Sequence, residues 1–191
     1  MAKLLDVQSF TKKFGGLFAV YDLSFHVDEG ESLGLIGPNG SGKTTTFNLI
    51  MKELKQDEGE IYFKGKEISK YPTHERVKMG ISRTNQIPRP FSEMSVSKNI
   101  RVGIMPDELM RIISMNSQSD AERKIGKSVG FKEHTLAMYP RELSMGDLRR
   151  LELARALATN PKLLLLDEPS IGLDVVAKQR IRDSIRRMDQ D

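Results

Sequence analysis

The sequence predicts an α/β fold with a mostly parallel sheet, and three observations carry that reading. Strand-like and helix-like stretches alternate along the chain, as they do where crossover helices join parallel strands. Residues 32–36 are short, nearly all apolar and bounded by glycine, the pattern of a strand buried on both faces. Residues 162–167 hold four leucines and end in a carboxylate, which puts a charged group at the edge of an otherwise buried strand.

The elements follow in order. Residues 4–10 and 23–27 read as extended segments, the second with clean period-two alternation. The strand at 32–36 leads into a glycine-rich stretch, 37–42, and then a helix to about residue 54. Residues 59–68 read as a hairpin turning at Lys64, Gly65 and Lys66. From 88 to 142 the chain becomes polar, helix-leaning and methionine-rich, with Met94, Met105, Met110, Met115 and Met138. This reads as a helical insert whose methionines mostly fill its core. A helix over 145–159 is broken by Asn160 and Pro161, the strand 162–167 follows, and 174–188 reads as a last helix. The domain expectation is one unit, 1–191, with a core of 1–87 and 143–191 around the insert 88–142.

At 191 residues the chain can bury one substantial core. It lacks an apolar run of about 18 residues, the length a membrane span needs. The first residues lack the apolar stretch of a secretory signal, so the cytoplasm is the expected compartment. The absence of cysteine fits a reducing environment. A net charge of +4 and a pI near 9.2 raise the question of nucleic acid. Much of the excess is local, in Lys178, Arg180, Arg182, Arg186 and Arg187, and reads as a solvated helix face, so no direct nucleic-acid partner is expected.

Gly37, Pro38, Asn39, Gly40, Ser41, Gly42, Lys43 and Thr44 match the phosphate-binding pattern G-x-x-x-x-G-K-[ST], with Thr45 next on the helix. Glycines let backbone N–H groups converge on an anion, and the helix N-terminus adds its dipole. Lys43 is suited to the β- and γ-phosphates and the Thr44 hydroxyl to Mg²⁺. A nucleotide, ATP with Mg²⁺, is the expected ligand. Asp167 and Glu168 supply the acidic half: Asp167 for the Mg²⁺ shell, Glu168 as a general base toward an attacking water.

Between these motifs, Leu143, Ser144, Met145, Gly146 and Asp147 precede a long helix, about a hundred residues after Lys43 and about twenty before Asp167. This stretch resembles the signature of ABC transporter ATPases, in which Ser144 would cap the helix and make a second anion site. The resemblance extends further. Ser170, Ile171, Gly172, Leu173 and Asp174 look like the family's D-loop, Gln86 like its Mg²⁺-sensing Q-loop glutamine, and Phe14 like the aromatic that stacks on adenine. Phe10 and Phe18 lie nearby, and any of the three fits a core position equally well. Residues 14–20 and 149–152 are most similar to ATPases of branched-chain amino acid importers, with lipopolysaccharide exporters sharing much of the pattern.

The resemblance implies a P-loop NTPase core with a mostly parallel sheet, an N-terminal antiparallel β-subdomain and a helical insert. It implies a catalytic set of Glu168, Lys43 and Gln86, and a metal set of Thr44, Gln86 and Asp167. Two subunits, as a homodimer or with another ABC ATPase, would pack head to tail, each ATP lying between one phosphate loop and the partner's signature. Transmembrane permease subunits would receive the motion, placing the chain on the cytoplasmic face of the membrane, with amino acids the expected cargo. Met145 and Asp147 depart from the usual signature, and Asn85 stands where phenylalanine is common. The family's switch histidine follows the glutamate by some thirty residues, whereas this chain ends at Asp191 and His26, His74 and His134 all precede it. The C-terminal part is therefore read as missing, with weak hydrolysis expected of the chain alone. Rival readings are a catalytically impaired fragment or regulatory subunit, and a soluble ABC ATPase acting on nucleic acid.

Overall fold

The computed structural model describes residues 2–104 and 120–168. The chain divides into two compact units after Ile81.

In the first unit, β1 (Lys3–Phe14) and β2 (Leu17–Asp28) form a long antiparallel hairpin that turns at Gly15, whose φ of 59° suits glycine. The other edge of β1 pairs with β3 (Glu58–Phe63), which turns through Lys64 and Gly65 into β4 (Lys66–Glu67), giving the order β2-β1-β3-β4. Period-two alternation explains the faces. Leu5 opposes Phe63 and Val7 opposes Ile61, all buried, while Asp6 and Gln8 pair with Tyr62 and Glu60 on the polar side. A bulge after Val7, with Ser9 at φ 50°, shifts the phase by one residue. Phe10 therefore points inward and is fully buried.

Helix α1 (Lys43–Ile50) buries Thr46, Leu49 and Ile50. Helix α2 (Thr73–Lys78) carries Arg76, which is fully buried and faces carbonyl oxygens rather than a carboxylate. Its guanidinium donates to Tyr71, Leu49, Ile50, Ile68 and Ser69, tying the C-terminal end of α1 to the segment between β4 and α2.

The buried strand expected at 32–36 is not formed. No strand is assigned over these residues, and Leu33 and Ile36 are 49% and 94% exposed. An apolar run can only report a preference for burial, whereas a strand exists through hydrogen bonds to a neighbour. Among the described residues no strand ladder is assigned to this segment.

In the second unit, β5 (Ile81–Thr84) and β6 (Leu163–Leu166) form a two-stranded sheet. Helices α3 (Val96–Ile104), α4 (Asp120–Ser128) and α5 (Met145–Ala158) pack around Val96, Ile100, Val129, Phe131, Leu136, Leu151 and Ala154. Gly103 lets α3 approach α5: a Cβ there would lie 2.7 Å from the Arg155 carbonyl oxygen. Among the described residues, branched and aromatic side chains form the core of the insert. Met94 is 37% exposed, and Met105, Met110 and Met115 lie outside the described residues. No helix among the described residues is long and apolar enough to cross a membrane.

Candidate functional site

The phosphate-loop half lies in the first unit. Helix α1 starts at Lys43 on Gly42, whose φ of 90° is left-handed. A Cβ at Gly42 would sit 2.2 Å from the Ala19 carbonyl oxygen of β2, so only glycine fits. The loop curls tightly: the Ser41 N–H donates to Pro38 at 3.2 Å, and a Cβ on Gly37 would lie 2.6 Å from Ser41 Oγ. Gly40, at φ 82°, completes the turn. The Lys43 ammonium folds over the loop and donates to the Gly37 and Pro38 carbonyls at 2.7 and 2.8 Å. Residues 37–41 and Thr44 are exposed, and Thr45 is half-buried. A helix N-terminus, an ammonium and an exposed glycine-rich loop therefore meet at one end of α1, which suits an anion.

The close contact between Gly42 and Ala19 also brings the β1–β2 hairpin alongside this loop. Of the three phenylalanines, Phe10 is core, and Phe14 and Phe18 are 49% and 45% exposed. Lys12 Nζ lies 5.6 Å from the Phe14 ring centre, and Phe18 packs edge-on against Tyr21 beneath the Lys13 ammonium.

The acidic half lies in the second unit, at the C-terminal end of β6. Asp167 is 2% exposed and accepts from Arg83 Nη2 of β5 at 2.9 Å; the Arg83 side chain is itself 8% exposed. Arg83 was not among the residues the sequence singled out. Its signal was an arginine inside a strand that is otherwise apolar or small, which requires an anionic partner. Glu168 follows at φ 48°, and its Oε2 accepts from Gln86 Nε2 at 2.9 Å. Gln86 and Glu168, 82 positions apart, thus meet directly beside Asp167.

At the start of α5, Ser144 is the N-cap, and its Oγ accepts from the Asp147 N–H at 3.1 Å. The Ser144 hydroxyl also donates to Asp147 Oδ2 at 2.7 Å, and Arg150 pairs with the same carboxylate. Asp147, acidic where the signature usually has glutamine, is neutralised within its own helix. Met145 is 55% exposed beside the half-buried Gly146. Ser170, Gly172, Leu173 and Asp174 lie outside the described residues.

A cradle for an anion at one helix start, and an acid pair with a glutamine beside a buried strand end, define the class as a nucleotide-handling α/β protein. Comparison with known proteins makes it specific. A family model described as ABC transporter matches residues 20–171. The lipopolysaccharide export ATP-binding protein LptB of Acidithiobacillus ferridurans is 36% identical over 187 residues, covering 97% of this chain and 75% of that protein. A probable branched-chain amino acid transport ATP-binding protein, LivG of Archaeoglobus fulgidus, is 35% identical over 181 residues, covering 91% and 70%. The crystal structure of a nucleotide-free ATP-binding cassette superposes with a TM-score of 0.83 at 32% identity, covering 98% of this chain and 78% of that one. The dimeric cassette MJ0796, in a post-hydrolysis state with ADP and Pi, superposes with a TM-score of 0.80 at 25% identity, covering 97% and 83%. The chain belongs to the ABC transporter ATP-binding family, whose members are ATP hydrolases.

Proposed function

We propose that this chain binds Mg²⁺-ATP and hydrolyses it in a head-to-tail pair with a second ABC ATPase subunit, driving transport through transmembrane permease subunits. The observation that carries the reading is the meeting of Gln86 with Glu168 beside Asp167, because it gathers the polar groups that γ-phosphate hydrolysis needs at one strand end. Thr44, Gln86 and Asp167 offer hydroxyl, amide and carboxylate oxygens, the hard donors Mg²⁺ takes, and the ion would neutralise charge on the phosphates. Lys43 binds and orients the phosphates, Glu168 accepts the proton of the attacking water, and Phe14 stacks on the base. Ser144 and the Gly146 N–H meet the partner's nucleotide, as Met145 and Asp147 flank them and Ser170, Gly172, Leu173 and Asp174 follow across the dimer contact. The chain then acts at the cytoplasmic face of a membrane, held there by its permease.

Similarity to LivG supports amino acids as the cargo. The comparable identity to LptB favours a second reading, lipopolysaccharide export. Co-purification with each class of permease from cells producing both separates the two.

Equilibrium binding of a fluorescent ATP analogue, with and without Mg²⁺, tests the core claim. Lys43→Ala is expected to weaken binding about tenfold or more. Glu168→Gln is expected to retain binding, abolish turnover and accumulate an ATP-dependent dimer by size-exclusion light scattering. Unchanged binding in Lys43→Ala, or full turnover in Glu168→Gln, contradicts the assignment.

A further inference from the structure

Between the end of β5 at Thr84 and the start of α3 at Val96, the backbone around Gln86 belongs to no helix or strand. Its polar groups still need partners, and one stripe of α5 supplies them. Arg149 Nη1 donates to the Asn85 carbonyl at 3.3 Å. Glu152, 5% exposed, accepts from the Arg89 N–H at 2.6 Å. Arg155 donates to the Arg89 carbonyl at 2.7 Å and to Glu152 at 3.2 Å. The same guanidinium stands 4.8 Å from the Phe91 ring centre. Spacing of three residues along a helix puts Arg149, Glu152 and Arg155 on neighbouring turns of one face. Beyond Phe91, Asn99 of α3 takes over, accepting from the Phe91 N–H and donating to the carbonyls of Phe91, Met94 and Ser95.

Gln86 therefore sits between two gripped points, Asn85 and Arg89. Both backbone groups of Arg89 are held by charged side chains, the stronger kind of hydrogen bond. The helix that grips them is the one Ser144 caps, and the side chain of Gln86 in turn touches Glu168.

We propose that Arg149, Glu152 and Arg155 are positioning residues for Gln86: they make the loop 85–91 a part of α5. The loop then moves with the helix that bears the signature. A shift of that helix when Ser144 meets a partner's nucleotide is transmitted to Gln86 and to its contact with Glu168. The inference rests on the nucleotide reading above for the roles of Gln86 and Ser144, and on geometry alone for the grip. The bonded network, with Glu152 buried at its centre, is what sets it apart from a chance surface ion pair.

The test uses the whole chain and two readouts. Hydrogen exchange, measured without nucleotide, should show the amides of 86–91 protected like those of α5. Glu152→Ala should speed their exchange about tenfold or more, leaving α1 unchanged. In single-turnover hydrolysis the same variant should lose about tenfold in rate with ATP affinity within about twofold, because the phosphate loop is untouched. Glu152→Gln, which still accepts a hydrogen bond, should recover most of both losses, and Arg155→Met should reproduce the defect if Glu152→Ala does not fold. Loop amides that exchange freely in the unaltered chain overturn the inference, and so does faster exchange with an unchanged hydrolysis rate, the result of a purely structural staple. An unaltered chain that neither binds nor hydrolyses ATP overturns the nucleotide reading and the inference together, and is recognised before any variant is made.

Discussion

Arg76→Met removes the guanidinium that joins α1 to the segment before α2, and its cost can be worked from the hydrogen bonds. Arg76 is fully buried and serves five carbonyls: Tyr71 at 3.0 Å, Leu49 at 3.1 Å, Ile68 at 2.7 Å, Ser69 at 3.3 Å, and Ile50. Three of these keep a second donor: Leu49 from the Lys52 N–H, Ile68 from the Tyr71 N–H, and Ser69 from the Lys52 ammonium. The Ile50 and Tyr71 carbonyls depend on Arg76. Each buried acceptor left unsatisfied costs about 1–3 kcal/mol, so two cost about 4 kcal/mol. Against this, burial strips water from the guanidinium and pushes its pKa down to about 10, a penalty that methionine avoids. A net loss of about 3 kcal/mol is expected, with methionine filling most of the volume. For a chain of 191 residues that lowers the melting temperature by about 6–12 °C. Arg76→Lys should recover less than half, since one ammonium cannot reach both helix end and loop. Thermal unfolding followed by circular dichroism is the assay. An Arg76→Met variant melting within about 2 °C of the parent would refute the reasoning, showing that water or a small rearrangement satisfies the carbonyls.

Gly42→Ala places a Cβ against the Ala19 carbonyl at a left-handed backbone position, and is expected to cost about 2 kcal/mol or more and to abolish binding of the ATP analogue. A variant with parental affinity contradicts the account of the loop. Arg83→Leu removes the counter-charge of Asp167 from a buried setting and should destabilise the second unit by about 3 kcal/mol, read as a lower urea midpoint. Asp57 titrates below the usual carboxylate range, because the Lys13 N–H and then the Lys12 ammonium favour its charged form. Its folded pKa is depressed, so its contribution is present above about pH 4, the ordinary carboxylate value, and is lost as pH falls through the lower folded value. Asp57→Asn should flatten that acid limb of the unfolding profile, and an unchanged limb would count against the pairing.

The phosphate loop was legible in the sequence because every part of it is local. Gly37 through Thr44 fix the turn and the helix start, and carry the groups proposed for phosphate, within one short stretch. The Ser144 cap and the leucine strand ending at Asp167 were legible for the same reason. Phe14 was legible only as one of three, and burial removes Phe10 to the core while leaving Phe14 and Phe18 both exposed. Arg83 and the three α5 residues that grip the loop escaped, because their partners lie 63 positions away or more on average-looking stretches of chain: Glu152 with Arg89 is such a pair. The strand expected at 32–36 failed from the opposite cause. Its apolar sequence was read correctly, but a strand needs a neighbour.

By itself the sequence determined the family's motifs and the candidate residues for phosphate, metal and proton, because those are properties of side-chain type and short-range spacing. Only the tertiary structure decided that Asp167 is buried against Arg83, and that Gln86 meets Glu168 from a loop carried on α5. Those pairings follow from how strands and helices far apart in the chain pack together. A buried charge must find its partner in that packing, wherever in the sequence the partner lies.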